Sequence, residues 1–391
     1  MRILFHHRIA SRDGQSVHIE EMIAALERQG HETRLVGPAS WAASGFGSSN
    51  KLVDAIKRMI PGALYELLEV AYNLKAYGRL KRAVAEYQPD VIYERFSLFL
   101  FAGVWVRKQT GLPLLSEVNA PLFEERAKND GLKLHALGRW AQGYIWRRAD
   151  HLLPVTGVLG RTVRDYGVAP EKITIVPNGI DPGRFDAAGT ITAEAAKQSL
   201  GVPPQRLTIG FTGFIRGWNA VHRLLDFAAK HRETLDLHIL VVGDGPARDP
   251  LIAYAAEKGI PDRLTITGVV ERDEVARHVA AFDIAVIPGV TPYASPLKLF
   301  EYLQLGRAIV APDTENIREI LTDDADALLF DVAAEAALEG ALLRLCSDET
   351  LRRRLGAAAR ETISAKSLTW DQNAKRVVAI GEALVAPRPQ S

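Results

Sequence analysis

Short apolar runs alternate with amphipathic segments along almost the whole chain of 391 residues. Twelve of the runs have the length and composition of β-strands, and they lie at 3–6, 33–36, 91–93, 114–118, 152–155, 173–176, 207–212, 237–242, 264–267, 284–287, 308–311 and 327–330. The segments between them, such as 17–28, 134–148 and 297–305, carry apolar residues at helical spacing. Strands that alternate with helices in this way predict parallel sheets covered by helices on both faces.

Twelve strands are too many for one comfortable open sheet, so the pattern predicts two doubly wound domains. The turn-forming residues at 177–182 end a predicted strand and mark the boundary. We therefore predict an α/β fold of two Rossmann-like domains, 1–178 and 179–371, followed by a last helix at about 372–386. Ligands of doubly wound sheets bind beyond the carboxyl ends of the strands, so a central cleft faced by both domains is the expected site.

The stretch 292–303 predicts a helix that begins with an anion site. Ser295 is a good N-cap and Pro296 suits the first helical position, which leaves the N–H groups of Leu297 and Lys298 free to bind phosphate. Glu301 lies on the same face as Leu297 one turn later, where its carboxylate could accept hydrogen bonds from a sugar diol. The alternative is an ordinary capped helix whose Lys298 and Glu301 form a surface pair.

Three loops that follow predicted strands in the second half could contact a ligand. In the first, Gly213 would allow close backbone approach and Arg216 could hold a diphosphate through its planar guanidinium. The alternative is a plain glycine-rich turn with an exposed arginine. The second, at 243–246, is a tight turn by composition, and in the third Val269 and Val270 could cradle a flat base.

Composition and charge narrow the function classes. The chain has 47% hydrophobic and 24% charged residues, as in soluble globular proteins, and no apolar run reaches the length of a membrane span. We expect no signal peptide and a cytoplasmic location, either in solution or at the inner face of the membrane. A single cysteine excludes disulfides and cysteine-rich metal sites. Residues 324–326 have an Asp-x-Asp pattern, which we interpret as a solvated turn, and we predict no metal.

The first half of the chain is modestly basic. Residues 1–180 carry 24 Lys and Arg against 18 Asp and Glu, hence +6, whereas the whole chain carries +1. This excess is too small to indicate nucleic acid but could attract an anionic membrane or a phosphorylated acceptor. The segment 51–82 mixes apolar and basic residues as membrane-surface helices do, although two ordinary packed helices would give the same pattern.

Several of these pieces together resemble the group 1 (family 4) retaining glycosyltransferases of the GT-B architecture. The resemblance is carried in order by 176–181 (VPNGID), 213–219 (GFIRGWN), 242–246 (VGDGP), Gly268, 295–302 (SPLKLFEY), Gly306 and 309–311 (IVA), and more loosely by 13–18 (DGQSVH) and 117–121 (EVNAP).

The resemblance implies transfer of a sugar from a nucleotide-diphosphate donor to an acceptor hydroxyl with retained anomeric configuration and no cofactor, in surface polysaccharide or glycolipid synthesis. It implies that the last helix packs back on the first domain. The implied catalytic residues are Arg216, Lys298, Asn119 and Glu117. The implied donor-binding residues are Gly213, Phe214, Gly243, Val269, Val270, Tyr293, Ser295, Pro296, Leu297 and Glu301. The implied acceptor-binding residues are Gly14, Gln15, Ser16 and His18, and the acceptor would be a saccharide or a lipid-linked saccharide.

The chain departs from the family pattern at three positions. Tyr293 stands where many members have a glutamate, Asn219 near the place of a lysine or histidine, and Asn119 where many have a catalytically important histidine. We interpret these as variation within an active subgroup. The alternatives are a GT-B sugar-nucleotide epimerase or hydrolase, and a non-catalytic protein that binds nucleotide sugars.

Overall fold

The computed structural model describes residues 1–9, 14–38, 60–129, 131–186 and 191–385, without the side chains of Gly14, Gln15 and Asp186. The chain divides into two units. Unit 1 comprises Met1–Pro177 with Trp370–Ser391, and unit 2 comprises Asn178–Thr369. Each unit has its own parallel sheet.

Unit 1 has a five-stranded sheet in the order β2-β1-β3-β4-β5. The strands are β1 (Arg2–His6), β2 (Glu32–Val36), β3 (Val91–Arg95), β4 (Leu114–Val118) and β5 (His151–Pro154). All neighbours pair in parallel, so that Phe5 lies opposite both Leu35 and Tyr93. Every residue of β3 and β4 is buried, as expected of central strands covered on both faces.

The helices of unit 1 that precede unit 2 are α1 (Gly14–Arg28), α2 (Gly62–Tyr87), α3 (Ala102–Thr110), α4 (Leu122–Asn129), α5 (His135–Arg148) and α6 (Gly157–Asp165). The predicted strand at 173–176 is wrong. Only Ile173 forms a bridge, to Leu152 of β5, after a short 3₁₀ turn at Pro170–Lys172. Thr174 and Val176 also donate backbone hydrogen bonds to β5, at 3.0 Å each, but the run does not form a continuous strand.

Unit 2 has a six-stranded parallel sheet in the order β11-β10-β9-β6-β7-β8. Its strands are β6 (Leu207–Thr212), β7 (Leu237–Val242), β8 (Leu264–Ile266), β9 (Ile284–Val286), β10 (Ala308–Pro312) and β11 (Leu328–Phe330). Its helices are α7 (Pro182–Asp186), α8 (Ala193–Ser199), α9 (His222–Lys230), α10 (Arg248–Glu257), α11 (Arg272–Ala280), α12 (Leu297–Gln304), α13 (Glu315–Arg318), α14 (Ala337–Ser347) and α15 (Glu349–Ala365).

The strand order of unit 2 changes direction at β6. The chain runs from β6 to its neighbour β7 on one side, and β9 then returns to pair with β6 on the other side. Such a switch point opens a crevice beyond the carboxyl ends of the two strands. The loop after β6 and the loop that leads from β9 to α12 begin at this point.

The last helix, α16 (Trp370–Val385), belongs to unit 1. It packs against α1, where Arg28 and Gln29 donate hydrogen bonds to Asp371. Asn373 also donates to the carbonyl of Pro177, at 2.6 Å. The chain therefore passes from unit 2 back to unit 1 at Trp370.

Candidate functional site

The start of α12 presents unpartnered backbone donors at the switch point. Pro296 occupies the N-cap position and α12 begins at Leu297. In the described part of the chain, the N–H groups of Leu297 and Lys298 have no hydrogen-bond acceptor. The predicted N-cap, Ser295, is wrong, because its hydroxyl accepts a hydrogen bond from the backbone of Asn178 instead, at 3.1 Å. The helix end therefore keeps donors suited to an anion.

Two buried asparagines hold the loop before α12. The amide nitrogen of Asn178 donates to the carbonyl of Ser295 at 2.5 Å. That of Asn316 donates to the carbonyls of Thr291 and Ala294, at 3.2 and 2.7 Å. These bonds join the loop to distant parts of unit 2 and thereby orient the start of α12.

Lys298 is partly buried and has no carboxylate within 4.0 Å in the described part of the chain. Its Nζ lies 3.6 Å from the centroid of the Phe211 ring. A methyl group placed on Gly213 would lie 3.1 Å from the same Nζ, so a glycine at the end of β6 makes room for the cation. Burial lowers the pKa of Lys298 to about 7, although Glu301 opposes this shift. An anion bound at this point would favour the protonated form.

Glu301 carries an unsatisfied buried oxygen. Its Oε2 has no hydrogen-bond partner within the described residues, and no ion pair joins it to Lys298. The surface pair that we considered from the sequence does not form. Burial raises the pKa of Glu301 to about 7, although Lys298 and Arg272 oppose this shift. A buried acceptor without a donor costs free energy, so the carboxyl group is prepared for a ligand that brings hydroxyl groups.

The loop after β6 exposes Arg216. Its guanidinium lies 4.8 Å from the ring centroids of both Phe214 and Trp218, which are themselves exposed. The described residues provide no carboxylate for it. Asn219 accepts a hydrogen bond from the backbone N–H of Arg216 at 2.9 Å and closes a 3₁₀ turn at Gly217–Asn219. The arginine is thus held by aromatic rings, with its donors available to an anion.

Two glycines of the 243–246 loop allow its backbone to pack closely against the loop after β6. A methyl group on Gly243 would overlap the carbonyl oxygen of Gly213, and one on Gly245 would overlap that of Ile215. Gly243 also has φ of +141°, which side chains disfavour. These glycines therefore permit a close approach between the backbones of two loops of unit 2.

The remaining predicted donor contacts lie on loops of unit 2. Val269 is exposed, whereas Val270 packs against the core. Tyr293 is partly buried in the loop before α12. The hydroxyl of Tyr302, in α12, accepts a hydrogen bond from the N–H of Thr212 at 2.8 Å and joins α12 to the end of β6.

In unit 1, Glu117 at the end of β4 is surrounded by hydrogen-bond donors. Its Oε1 accepts from Arg95 at 2.6 Å and from Asn119, and its Oε2 accepts from Tyr93 at 2.7 Å. Nδ1 of His18 lies 3.1 Å from the same Oε2. Burial opposes ionisation of Glu117, but His18, Arg95 and the hydrogen bonds outweigh it and lower its pKa. Glu117 therefore connects β3, α1 and the loop after β4 at the carboxyl edge of this sheet.

Two of the predicted acceptor contacts are enclosed. Ser16 and His18 in α1 are at most 2% exposed, so neither can reach an acceptor from solvent in this structure. His18 contacts Trp370 edge to face, with 4.9 Å between ring centroids, and burial lowers its pKa to about 4. Gly14 and Gln15 begin α1, but their side chains lie outside the described residues.

The Asp-x-Asp pattern lies in a turn held by other protein groups. Asp324 accepts hydrogen bonds from Arg344 and Arg354, and Asp326 accepts from the backbone of Thr322 and the hydroxyl of Thr362. Within the described ranges, no group of three or more His, Cys, Asp or Glu could hold a metal ion.

No helix of the described residues has the length and apolar character to cross a bilayer.

Two family models match consecutive parts of the chain. Glycosyltransferase Family 4 matches residues 12–184, and glycosyl transferases group 1 matches residues 192–362. The two models follow the division into units and together leave out only the ends and a short linker. The chain is a group 1 glycosyltransferase.

Relatives of this glycosyltransferase act on different small molecules. It is 35% identical over 200 residues to the 2-deoxystreptamine glucosyltransferase of Streptomyces kanamyceticus, a match that covers 49% of the chain and 50% of the relative. It is 24% identical over 361 residues to the GDP-mannose-dependent alpha-mannosyltransferase of Mycobacterium tuberculosis, covering 91% and 89%. The match thus spans half the length of the first relative and most of the second.

Solved structures confirm the GT-B fold of this glycosyltransferase. HepE of Anabaena in complex with UDP superposes with a TM-score of 0.76 at 15% identity, covering 98% of this chain and 100% of that one. Sucrose-phosphate synthase of Thermosynechococcus elongatus has a TM-score of 0.77 at 14% identity, covering 99% and 100%.

Sequence reasoning missed the residues that support the site of this glycosyltransferase. Asn178 and Tyr302 were part of the family pattern but had no predicted role, and the sequence predicted no site role for Asn316 or Phe211. The available signal for Asn316 in the sequence was its position as a polar residue four places after the end of a strand, at Pro312. Only the three-dimensional contacts show that these four residues support the start of α12 and Lys298.

Proposed function

We propose that this protein transfers a sugar from a nucleoside diphosphate sugar to an acceptor hydroxyl, with retention of anomeric configuration and without an obligatory metal ion. The observation that carries the proposal is the juxtaposition in unit 2 of free helix-start amides, Lys298 and an unsatisfied Glu301. The reaction would serve surface polysaccharide or glycolipid synthesis.

The diphosphate would bind at the start of α12. The N–H groups of Leu297 and Lys298 offer hydrogen bonds there, and the ammonium group of Lys298 adds charge without competition from a protein carboxylate. Arg216 adds a second cation on an exposed side chain that has no ion-pair partner among the described residues. Such groups stabilise negative charge as it grows on a leaving phosphate, which is the task a metal ion performs in other transferases.

Glu301 would bind the ribose hydroxyl groups, because its Oε2 is buried and lacks a donor. The exposed Val269, beyond β8, would lie near the base. The name of the Mycobacterium tuberculosis relative specifies GDP-mannose, and the solved structure of HepE contains UDP. The proposal accordingly requires a nucleoside diphosphate and leaves the base to experiment.

Retention would proceed without a carboxylate nucleophile from Glu117. Both oxygens of Glu117 already accept hydrogen bonds, from Arg95, Asn119 and Tyr93. The glycosidic carbon–oxygen bond to the diphosphate would break with its electron pair moving to the phosphate oxygen. The acceptor oxygen would then attack the same face of the sugar, and its proton would pass to the departing diphosphate. In this scheme Glu117 holds Asn119, which can bind a sugar hydroxyl.

Turnover assays with UDP- and GDP-sugars and a panel of saccharide acceptors test the proposal. We expect release of nucleoside diphosphate that depends on the acceptor. Release without any acceptor would favour a hydrolase or epimerase, and binding without turnover would favour a non-catalytic protein. A β-linked product from an α-linked donor would refute retention.

The role of Arg216 is tested by Arg216→Ala. We expect kcat/KM to fall roughly 100-fold or more, with an unchanged melting temperature because the side chain is exposed. Arg248→Ala is the matched control, since Arg248 is also exposed and its closest carboxylate, Asp244, is 3.8 Å away. Equal activity of Arg216→Ala and wild-type protein would refute the assignment of the diphosphate site.

A further inference from the structure

Helix α2 of unit 1 turns four of its five leucines toward solvent. Leu64, Leu67 and Leu68 are each about half exposed, at 47%, 51% and 50%, and Leu74 is 75% exposed. Leu67, Leu68 and Leu74 follow Leu64 by three, four and ten residues, which places all four on one side of the helix. This side forms a stripe of leucines over the first four turns, which we call the α2 outer face.

The opposite side of α2 faces the protein and buries Glu66 and Asn73 together with Ala76, Leu80 and Ala83. Glu66 is buried and accepts hydrogen bonds from the N–H groups of Lys133 and Leu134, both at 2.7 Å. Asn73 is fully buried and accepts from the N–H groups of Phe101 and Ala102, where α3 begins. These bonds fix the rotation of the helix. The leucines therefore cannot turn inward without breaking four buried hydrogen bonds.

Other acids of α2 are also engaged within the protein. Glu69 pairs with Arg8 at 3.0 Å and with Arg126 at 2.8 Å. Glu86, in the last turn, pairs with Arg34 at 2.7 Å. All three carboxylates of the helix are thus satisfied by groups of unit 1.

Cations of α2 remain exposed beside the leucines. Lys75 and Arg82 lie on the same side of α2 as the leucines, and Lys81 lies at its border. Elsewhere in unit 1, α5 carries an exposed Arg139 and Arg148. No ion pair engages these cations within the described ranges. Unpaired basic groups around an apolar stripe complement an anionic surface.

Helix α5 carries two aromatic side chains that contact Phe101 at the start of α3. Trp140 is 52% exposed, and its ring lies 5.8 Å from that of Phe101, whose N–H is held by Asn73 of α2. Tyr144 stacks on Trp140 at 5.1 Å. Tryptophan and tyrosine are suited to the level of lipid headgroups, since each has an apolar ring and a polar end.

We propose that the α2 outer face docks on the surface of a membrane that contains anionic lipid. The leucines would enter the boundary between headgroups and acyl chains while the lysines and arginines contact lipid phosphates, as in helices that lie in the plane of the membrane. This inference concerns unit 1 alone and holds whatever donor or acceptor the transferase uses. A second copy of the chain, or another segment of the same chain, would be the alternative occupant of this face.

Vesicle flotation of the full-length protein tests the proposal. We expect the wild type to float with vesicles of phosphatidylcholine and 30% phosphatidylglycerol and to stay in solution with pure phosphatidylcholine. The double variant Leu67→Gln/Leu68→Gln should reduce the partition coefficient about tenfold or more, because two half-exposed leucines lose their apolar contact. The double variant Lys81→Gln/Arg82→Gln should reduce it roughly 25-fold, about fivefold for each charge.

Controls separate the possible occupants. Ile252→Gln and Val332→Gln remove hydrophobic side chains of comparable exposure from unit 2, at 46% and 56%, and should leave flotation unchanged. Flotation of Leu67→Gln/Leu68→Gln equal to that of the wild type would refute the proposal, as would absence of wild-type flotation. A lower melting temperature of that variant would show that the chain itself covers the face. A smaller mass by light scattering would show that a second copy does, and either result would overturn the membrane assignment.

Discussion

Replacement of Glu301 by glutamine should make unit 2 more stable and the enzyme less able to bind its donor. In the folded protein burial raises the pKa of Glu301 from 4.5 to about 7, so its charged form is disfavoured there. A shift of about 2.5 units corresponds to roughly 3 kcal/mol at 1.36 kcal/mol per unit. Because the side chain is only partly enclosed, we expect Glu301→Gln to gain about 1–3 kcal/mol at pH 8.

The sign of the pH dependence follows from the raised pKa. Between pH 4.5 and about 7 the folded protein binds more protons at Glu301 than the unfolded chain does, so the free energy of unfolding of the wild type falls as pH rises through this window. The variant lacks this dependence. The stability difference between the two proteins should therefore be near zero below pH 4.5, grow up to about pH 7 and remain constant above it.

Hydrogen exchange of the buried strand β10 measures the opening of unit 2 without interference from unit 1. Exchange rates of the 308–312 peptide, corrected for intrinsic chemistry, should be slower in Glu301→Gln than in wild type at pH 8 and equal at pH 4.5. Glu361→Gln, on the exposed side of α15, controls for the loss of one carboxylate. A difference that does not change with pH, or a variant that is less stable at pH 8, would refute the reasoning. The KM for the donor should rise about tenfold, since a charged acceptor forms the stronger hydrogen bond.

Two further substitutions test how the site is supported. Gly243→Ala should lower the melting temperature by roughly 5–10 °C, because its methyl group would overlap a backbone carbonyl at a φ of +141°; Gly217→Ala, with nothing within 4 Å, is the control, and equal melting temperatures would contradict this explanation. Asn316→Ala should weaken nucleoside diphosphate binding several-fold by calorimetric titration and cost about 1–3 kcal/mol of stability, since two loop carbonyls lose their donor. Unchanged binding would show that the loop holds its position without Asn316.

The sequence correctly predicted the strands and the helix that carry the candidate site. The strand runs that end at Thr212 and Val242 and the helix around Glu301 lie where the apolar periodicity placed them. The alternation of strands and helices also predicted two parallel sheets. These inferences succeed because periodicity and turn composition depend on a few neighbouring residues.

Contacts between distant residues decided the rest. Ser295 has the composition of an N-cap, but Asn178, 117 positions earlier, takes its hydroxyl group. The run at 173–176 has strand character, yet it forms only a single bridge to β5, at Ile173, and no continuous strand. No local pattern reports which partner a polar side chain finds when the chain is folded.

Helix α2 shows the same division most clearly. The sequence by itself determined that 51–82 mixes apolar and basic residues as helices do, because that spacing is a property of the chain. Only the tertiary structure decided which side faces the protein, since the buried acceptors Glu66 and Asn73 satisfy the N–H groups that begin α5 and α3. The same inner side buries Ala76, Leu80 and Ala83, and unsatisfied buried donors would cost free energy, so packing and hydrogen bonding together set the orientation that leaves four leucines outside.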